Sequence, residues 1–178
     1  MEKILVSACL LGAKVRYHGG DAASAHPTLR RWEEEGRLVS TCPEVEGGLG
    51  TPRPPAEIVV VRQAEDDPDE RRRAGRDAGP GVVARAALVR TAAGVDVTDQ
   101  FLAGAAAALE AARRHGVRIA ILKDGSPSCG SSFVYDGTFS GTRTAGPGVT
   151  AALLRLNGVR VFGDHEIDAA EEFLAAVD

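Results

Sequence analysis

Short apolar runs closed by turns recur along the chain, at residues 3–7, 38–41, 117–122 and 159–162. Each is four to six residues long, too short for a stable helix but the right length for a strand buried on both faces of a sheet. Between them the apolar positions fall at helical spacing. In 98–115, Phe101, Leu102, Ala105, Ala108, Leu109 and Ala112 repeat on one face, with Thr98 as cap and Gly116 as stop. Residues 28–35 predict a shorter helix, with Pro27 near its first turn and Gly36 at its end. Residues 149–156 and 166–177 predict two more. The order of strand, helix and strand over 3–41 is a βαβ unit, so its strands run parallel. The whole pattern predicts an α/β fold: one layered domain over 1–178, with a mainly parallel sheet flanked by helices in the Rossmann-like manner.

The remaining stretches carry less periodicity. A further strand is expected at 58–61, and 87–91 with 95–97 reads as a hairpin about Ala92-Ala93-Gly94. Residues 42–55 are so rich in Gly and Pro that a fixed loop with exposed amides is expected, without regular structure. The mixed-charge segment 63–81 reads as a solvated excursion, and 131–145 as a polar loop.

Composition narrows the function classes. With 178 residues, 44% hydrophobic and 26% charged, the chain can bury a core without staples. Its net charge of -4 gives no electrostatic case for binding a nucleic-acid backbone. No run approaches the ~18 apolar residues of a membrane span. Val6-Ser7-Ala8-Cys9 resembles a lipoprotein cleavage box, but the three apolar residues before it fall short of the ~7–15 of a signal core. A cytoplasmic protein is expected.

The three cysteines change the picture most. Cys9, Cys42 and Cys129 each follow one of the apolar runs, and in parallel sheets ligands bind beyond the carboxyl ends of the strands. An odd number with no close pair argues against a disulfide framework. Thiolates are soft ligands for zinc, copper(I) or an iron–sulfur cluster. Zinc in a closed site wants a fourth ligand, for which His18 is best placed. However, 32 residues separate Cys9 from Cys42 and 86 separate Cys42 from Cys129, unlike a zinc knuckle. Three cysteines on a four-iron cluster would leave one iron open to act as a Lewis acid.

Glu44 lies two residues beyond Cys42. If that segment is extended, the two side chains share a side, and a carboxylate there can serve as general base or remain a solvated loop residue. Ser126 and Ser128 can contact a substrate or close the turn 126–130. Asp124, Tyr17 and Arg53 are further candidates for substrate contact, and Gly47-Gly48 for an anion-binding nest. A non-catalytic metal- or sulfur-binding module fits the same cysteines. So does an enzyme using Cys129 alone as nucleophile, which would need a partner to lower the thiol pKa.

Several motifs together carry a resemblance. They are Val6-Ser7-Ala8-Cys9-Leu10-Leu11-Gly12, Arg16-Tyr17, Cys42-Pro43-Glu44-Val45 with Gly47-Gly48-Leu49, and Pro52-Arg53. Asp96-Val97-Thr98 with Phe101, Lys123, Ser126-Pro127-Ser128-Cys129-Gly130, Tyr135-Asp136-Gly137 and Gly148-Val149 complete the set. Over nearly its whole length the chain resembles the bacterial family that includes 2-thiouracil desulfidase. The resemblance implies a [4Fe-4S] cluster on Cys9, Cys42 and Cys129, with Glu44 and Ser126 as acid–base and substrate-polarising residues. It implies a thiolated pyrimidine as substrate, its sulfur meeting the open iron while Glu44 assists a water, and release of hydrosulfide without net redox change. After Arg16-Tyr17 the chain has His18-Gly19-Gly20 where the family more usually has an acidic residue and glycine.

Overall fold

The protein is described by a computed structural model over residues 1–60 and 77–177. Four strands form its central sheet: β1 (Ile4–Ser7), β2 (Leu38–Thr41), β5 (Ile119–Leu122) and β8 (Arg160–Gly163). All neighbours are parallel, in the spatial order β2-β1-β5-β8. The expected α/β architecture is therefore present, and β1 is an interior strand.

Alternation along β1 explains the layers. Ile4 and Val6 face one side, where they meet Leu29 and Trp32 of α1 (Pro27–Glu34) and Ile167, Ala170 and Leu174 of α6 (Ile167–Val177). Leu5 faces the other, against Ala108, Leu109 and Ala112 of α4 (Thr98–Arg114) and Ala151 and Leu154 of α5 (Val149–Leu156). Ile4, Leu5 and Val6 are wholly buried; each such side chain contributes about 1.5–3 kcal/mol of transfer free energy. The alanines of α4 keep that helix thin and close to the sheet.

A third apolar cluster lies beside these two. It joins Ile58 of β3 (Ala56–Val60), Val82 of α3 (Ala78–Val83) and Val89 of β4 (Ala87–Thr91) to Phe101 and Val134. Here the structure departs from the sequence pattern. β4 pairs antiparallel with β3, a partner distant in sequence. Residues 95–97 do fold back on β4 as expected, through the Arg90–Asp96 bridge and the bonds from the Thr91 N–H to the Val95 carbonyl and from the Val97 N–H to the Val89 carbonyl, but they form no strand of their own. Residues 78–83 form the helix α3, while most of the charged segment, 63–76, lies outside the described residues. The loop expected at 131–145 contains a hairpin, β6 (Phe133–Tyr135) with β7 (Arg143–Ala145). Thr98 does not cap its own helix. Its hydroxyl donates to Asp96 Oδ1 at 2.6 Å and accepts the Val89 amide at 2.9 Å, tying α4 to β4.

Candidate metal centre

Strands β2, β1 and β5 lie side by side, and their carboxyl ends open on one cavity of about 660 Å³. The chain leaves β1 toward β2 on one flank and returns as β5 on the other, the arrangement that leaves a crevice at the strand ends. Cys9 stands in the tight turn Ala8–Leu11 directly after β1, Cys42 directly after β2, and Cys129 in the turn after β5. All three line the cavity and none is in a disulfide.

The environment of these sulfurs opposes their charged forms. Burial, then the nearby Cys42, pushes the Cys9 thiol up to about 11, against the pull of Arg16 and Lys123. Burial also raises Cys42 and raises Cys129 most strongly, although the Ser7 hydroxyl favours the charged form of Cys129. Such thiols become thiolates when a bound cationic centre offsets their burial. Among the described residues, no three His, Cys, Asp or Glu side chains converge as one ion would require. One thiolate per iron of a polynuclear cluster does not need such convergence, so the donor set fits a cluster better than zinc. His18 does not supply a fourth ligand. It stays outside the cavity lining, and its Nδ1 accepts the Gly20 amide at 3.1 Å. No histidine is among the described lining residues, and burial and Glu44 push the Cys129 thiol up, which leaves it without the activation a lone nucleophile would need.

Glu44 reaches the cavity by a route other than an extended segment. Pro43–Glu46 is one helical turn, α2, in which Pro43 takes the first position and the Cys42 amide donates to Glu46 Oε1 at 3.0 Å. This turn seats on α4 because Gly104 has no side chain: a Cβ there would stand 1.8 Å from the Pro43 carbonyl oxygen. Glu44 Oε2 accepts from Arg53 Nε at 2.6 Å, and Oε1 accepts from Ser126 Oγ at 3.1 Å. Ser126 Oγ in turn accepts the amides of Ser128 and Cys129, both at 3.1 Å. One hydroxyl thus links the carboxylate to the backbone of a cysteine.

The other predicted contacts divide. Tyr17 and Arg53 line the cavity, and the Arg53 amide donates to the Tyr17 carbonyl at 2.8 Å. Ser128 does not line it: its side chain is fully buried, with its hydroxyl 2.8 Å from that of Thr150. The turn at 126–130 faces two ways, and Ser128 is on the side packed against α5. Gly148 permits this contact, since a Cβ there would lie 2.5 Å from the Ser128 carbonyl oxygen. Asp124 lines the cavity, but its Oδ1 is occupied by the amides of Gly125, Ser131, Ser132 and Phe133, and its Oδ2 by the Ser132 hydroxyl. Burial opposes its charge, yet these bonds outweigh burial and hold the carboxyl below the usual range. It organises the loop. Gly47 and Gly48 are absent from the lining, and their amides donate to the Pro43 and Val45 carbonyls, so they are not offered to an anion in the cavity.

Sequence reasoning placed Ser7 and Lys123 in the motifs but gave them no role in the site, and it missed the β6–β7 hairpin; all three line the cavity. Ser7 offered one signal: a polar residue ending an otherwise apolar buried strand.

Comparison with known proteins fits this architecture. A family model described as 2-thiouracil desulfurase matches residues 4–166. The chain belongs to this family. The Bacillus subtilis (strain 168) protein YbbK, which bears the description "uncharacterized", is 42% identical over 165 residues, covering 93% of this chain and 97% of that protein. A solved structure described as the [4Fe-4S]-dependent thiouracil desulfidase TudS superposes with a TM-score of 0.81 at 42% identity, covering 99% of each chain. As a member of the 2-thiouracil desulfurase family, the chain places its three thiols, Glu44 and Ser126 around one cavity.

Proposed function

We propose that the protein is an iron–sulfur-dependent desulfurase that acts on a thiolated nucleobase or a related thiocarbonyl compound and releases hydrosulfide. The observation that carries this reading is the contact of Glu44 with Ser126 inside a cavity lined by three thiols. A non-catalytic metal carrier has no need of that pair. The family match and the likeness to a [4Fe-4S]-dependent thiouracil desulfidase support the same reading. Cys9, Cys42 and Cys129 would hold a [4Fe-4S] cluster. When bound, it supplies an iron without a protein ligand, a Lewis acid for a soft sulfur atom.

The rest falls to the chain. Arg53 holds one oxygen of Glu44, so the other is aimed at Ser126. In that position Glu44 takes a proton from a water directed at the ring carbon. Ser126, fixed by two backbone amides, can turn its hydroxyl from Glu44 to a substrate heteroatom as charge develops there. Overall one water is consumed, C=S becomes C=O, and no electrons are exchanged. The cavity draws its walls from residues 7 to 143, which supports one functional domain. Reduced cysteines suit a cytoplasmic setting; among the described residues, no helix is long and apolar enough to cross a membrane.

Anaerobic purification with iron and sulfide quantification, followed by incubation with 2-thiouracil, tests the proposal. Iron, sulfide and uracil formation are expected. Glu44→Ala should keep its iron and lose turnover. Iron-free protein from a strictly anaerobic preparation, or full activity in Glu44→Ala, would overturn this reading.

A further inference from the structure

One wall of the cavity comes from the β6–β7 hairpin, and the tip of that hairpin holds a bulky residue in a backbone conformation that disfavours it. Phe139 has φ of 57°, in the left-handed region where glycine or asparagine would be at ease. The residue is 38% exposed and lines the cavity, so burial in a core does not account for its position.

Polar groups around the tip fix this conformation from several directions. Glu57 Oε2, from β3, accepts the amides of Gly137 and Phe139 at 2.8 and 3.0 Å. Asp136 Oδ1 accepts the amide and the hydroxyl of Thr138 at 3.0 and 2.5 Å. Hydroxyl contacts continue from Thr138 to Ser140 at 2.7 Å and on to Thr142 at 2.8 Å. Where neighbouring groups over-determine a strained residue, the strain points to a use for that residue. What the arrangement delivers is one aromatic ring at the cavity wall.

We propose that Phe139 is a specificity-determining residue, whose ring forms a face for a planar heteroaromatic substrate, and that Glu57 is the positioning residue that holds it there. The proposal rests on the desulfurase reading and narrows its substrate class from thiocarbonyl compounds in general to planar, aromatic ones. A flat conjugated ring gains from an aromatic face by stacking or edge contact; a puckered saturated ring with the same hydrogen-bonding edge does not. Glu57 lines the same cavity, but its carboxylate is engaged with the loop amides.

The test uses the iron-loaded protein, anaerobically, with two pairs of compounds: 2-thiouracil and its 5,6-dihydro form as substrates, uracil and dihydrouracil as binding probes. Wild-type protein is expected to prefer the aromatic member at least tenfold, in kcat/KM and in dissociation constant by equilibrium dialysis. Phe139→Ala should cut both preferences to within threefold through KM, with kcat and iron content little changed. Phe139→Tyr should restore them. Glu57→Ala should behave like Phe139→Ala, and the double variant should add nothing further, whereas Glu57→Gln, which retains an acceptor oxygen, should stay near wild type. An undiminished preference in Phe139→Ala, or no preference in the wild type, overturns the proposal. Absence of turnover in iron-loaded wild type sinks the desulfurase reading instead. The uracil and dihydrouracil affinities still judge Phe139 in that case, and a wild type that binds neither counts against it.

Discussion

Arg53 Nε donates to Glu44 Oε2 at 2.6 Å, and the other guanidinium nitrogens are committed to the protein. Nη1 reaches the Gly50 carbonyl at 3.1 Å and Thr51 Oγ1 at 3.2 Å, while Nη2 reaches the Val15 carbonyl at 2.8 Å. This places Arg53 behind the carboxylate as its anchor, a role that the sequence reading of a substrate contact did not anticipate. A lysine carries the charge but not the fork. Arg53→Lys is expected to lower kcat/KM for desulfuration about tenfold or more, equivalent to about 1.4 kcal/mol, with iron per chain unchanged. Steady-state kinetics beside iron analysis checks it.

The contact of Gly104 with Pro43 predicts an effect far from any polar chemistry. Alanine brings about 1 kcal/mol of helix propensity over glycine. Here its methyl would have to displace the Pro43 carbonyl, 1.8 Å from the ideal Cβ position. Gly104→Ala should therefore destabilise the fold by about 3 kcal/mol, at the upper end of overpacking costs. It should also reduce iron retention, because the displaced turn carries Cys42. Urea denaturation and iron content report the two effects separately.

Asp124 predicts a pH dependence. Its carboxyl is held below the ordinary value, so its contribution to stability is full above the unfolded pKa of about 3.9 and is lost as pH falls through the lower folded value. Asp124→Asn replaces an acceptor surrounded by N–H groups with a side chain that presents its own. A loss of about 3 kcal/mol at neutral pH is expected. The gap between variant and wild type should narrow below about pH 4. Thermal unfolding from pH 7 to pH 3 measures it.

The three thiols of metal-free protein should differ in reactivity. Burial pushes all three thiols upward, but Cys42 is only half-buried, whereas Cys9, at about 11, and Cys129 are buried. Since the thiolate is the nucleophile, iodoacetamide at pH 8 should label Cys42 first and the other two slowly. Loading with iron and sulfide should protect all three. Mass spectrometry of the labelled peptides gives the order directly.

The sheet and its rim of sulfurs were legible because buried parallel strands read as unbroken apolar runs, and each cysteine follows one. The pairing of β3 with β4 was hidden because it joins segments across a long intervening stretch, while residues 95–97, which do fold back on β4, offered a nearer partner. The α2 turn was hidden by the Gly and Pro around it, although Pro43 is well suited to a first helical position. Three-residue strands such as β6 and β7 are too short to show a period. Ser126 and Ser128 were indistinguishable in sequence. The turn gives one to Glu44 and the other to Thr150, and only packing against α5 decides which.

The order β2-β1-β5 has a consequence for how such a centre can be built. Cys9, Cys42 and Cys129 are neighbours only through the pairing of their strands, so a growing chain lacks the full set of three thiols until β5 has joined the sheet. Nothing in that nascent peptide resembles the closely spaced ligands by which short motifs capture a metal as they emerge. With the proposed ligand set, folding comes first and loading second. Whatever delivers iron and sulfide would then meet a finished protein at the mouth of its cavity.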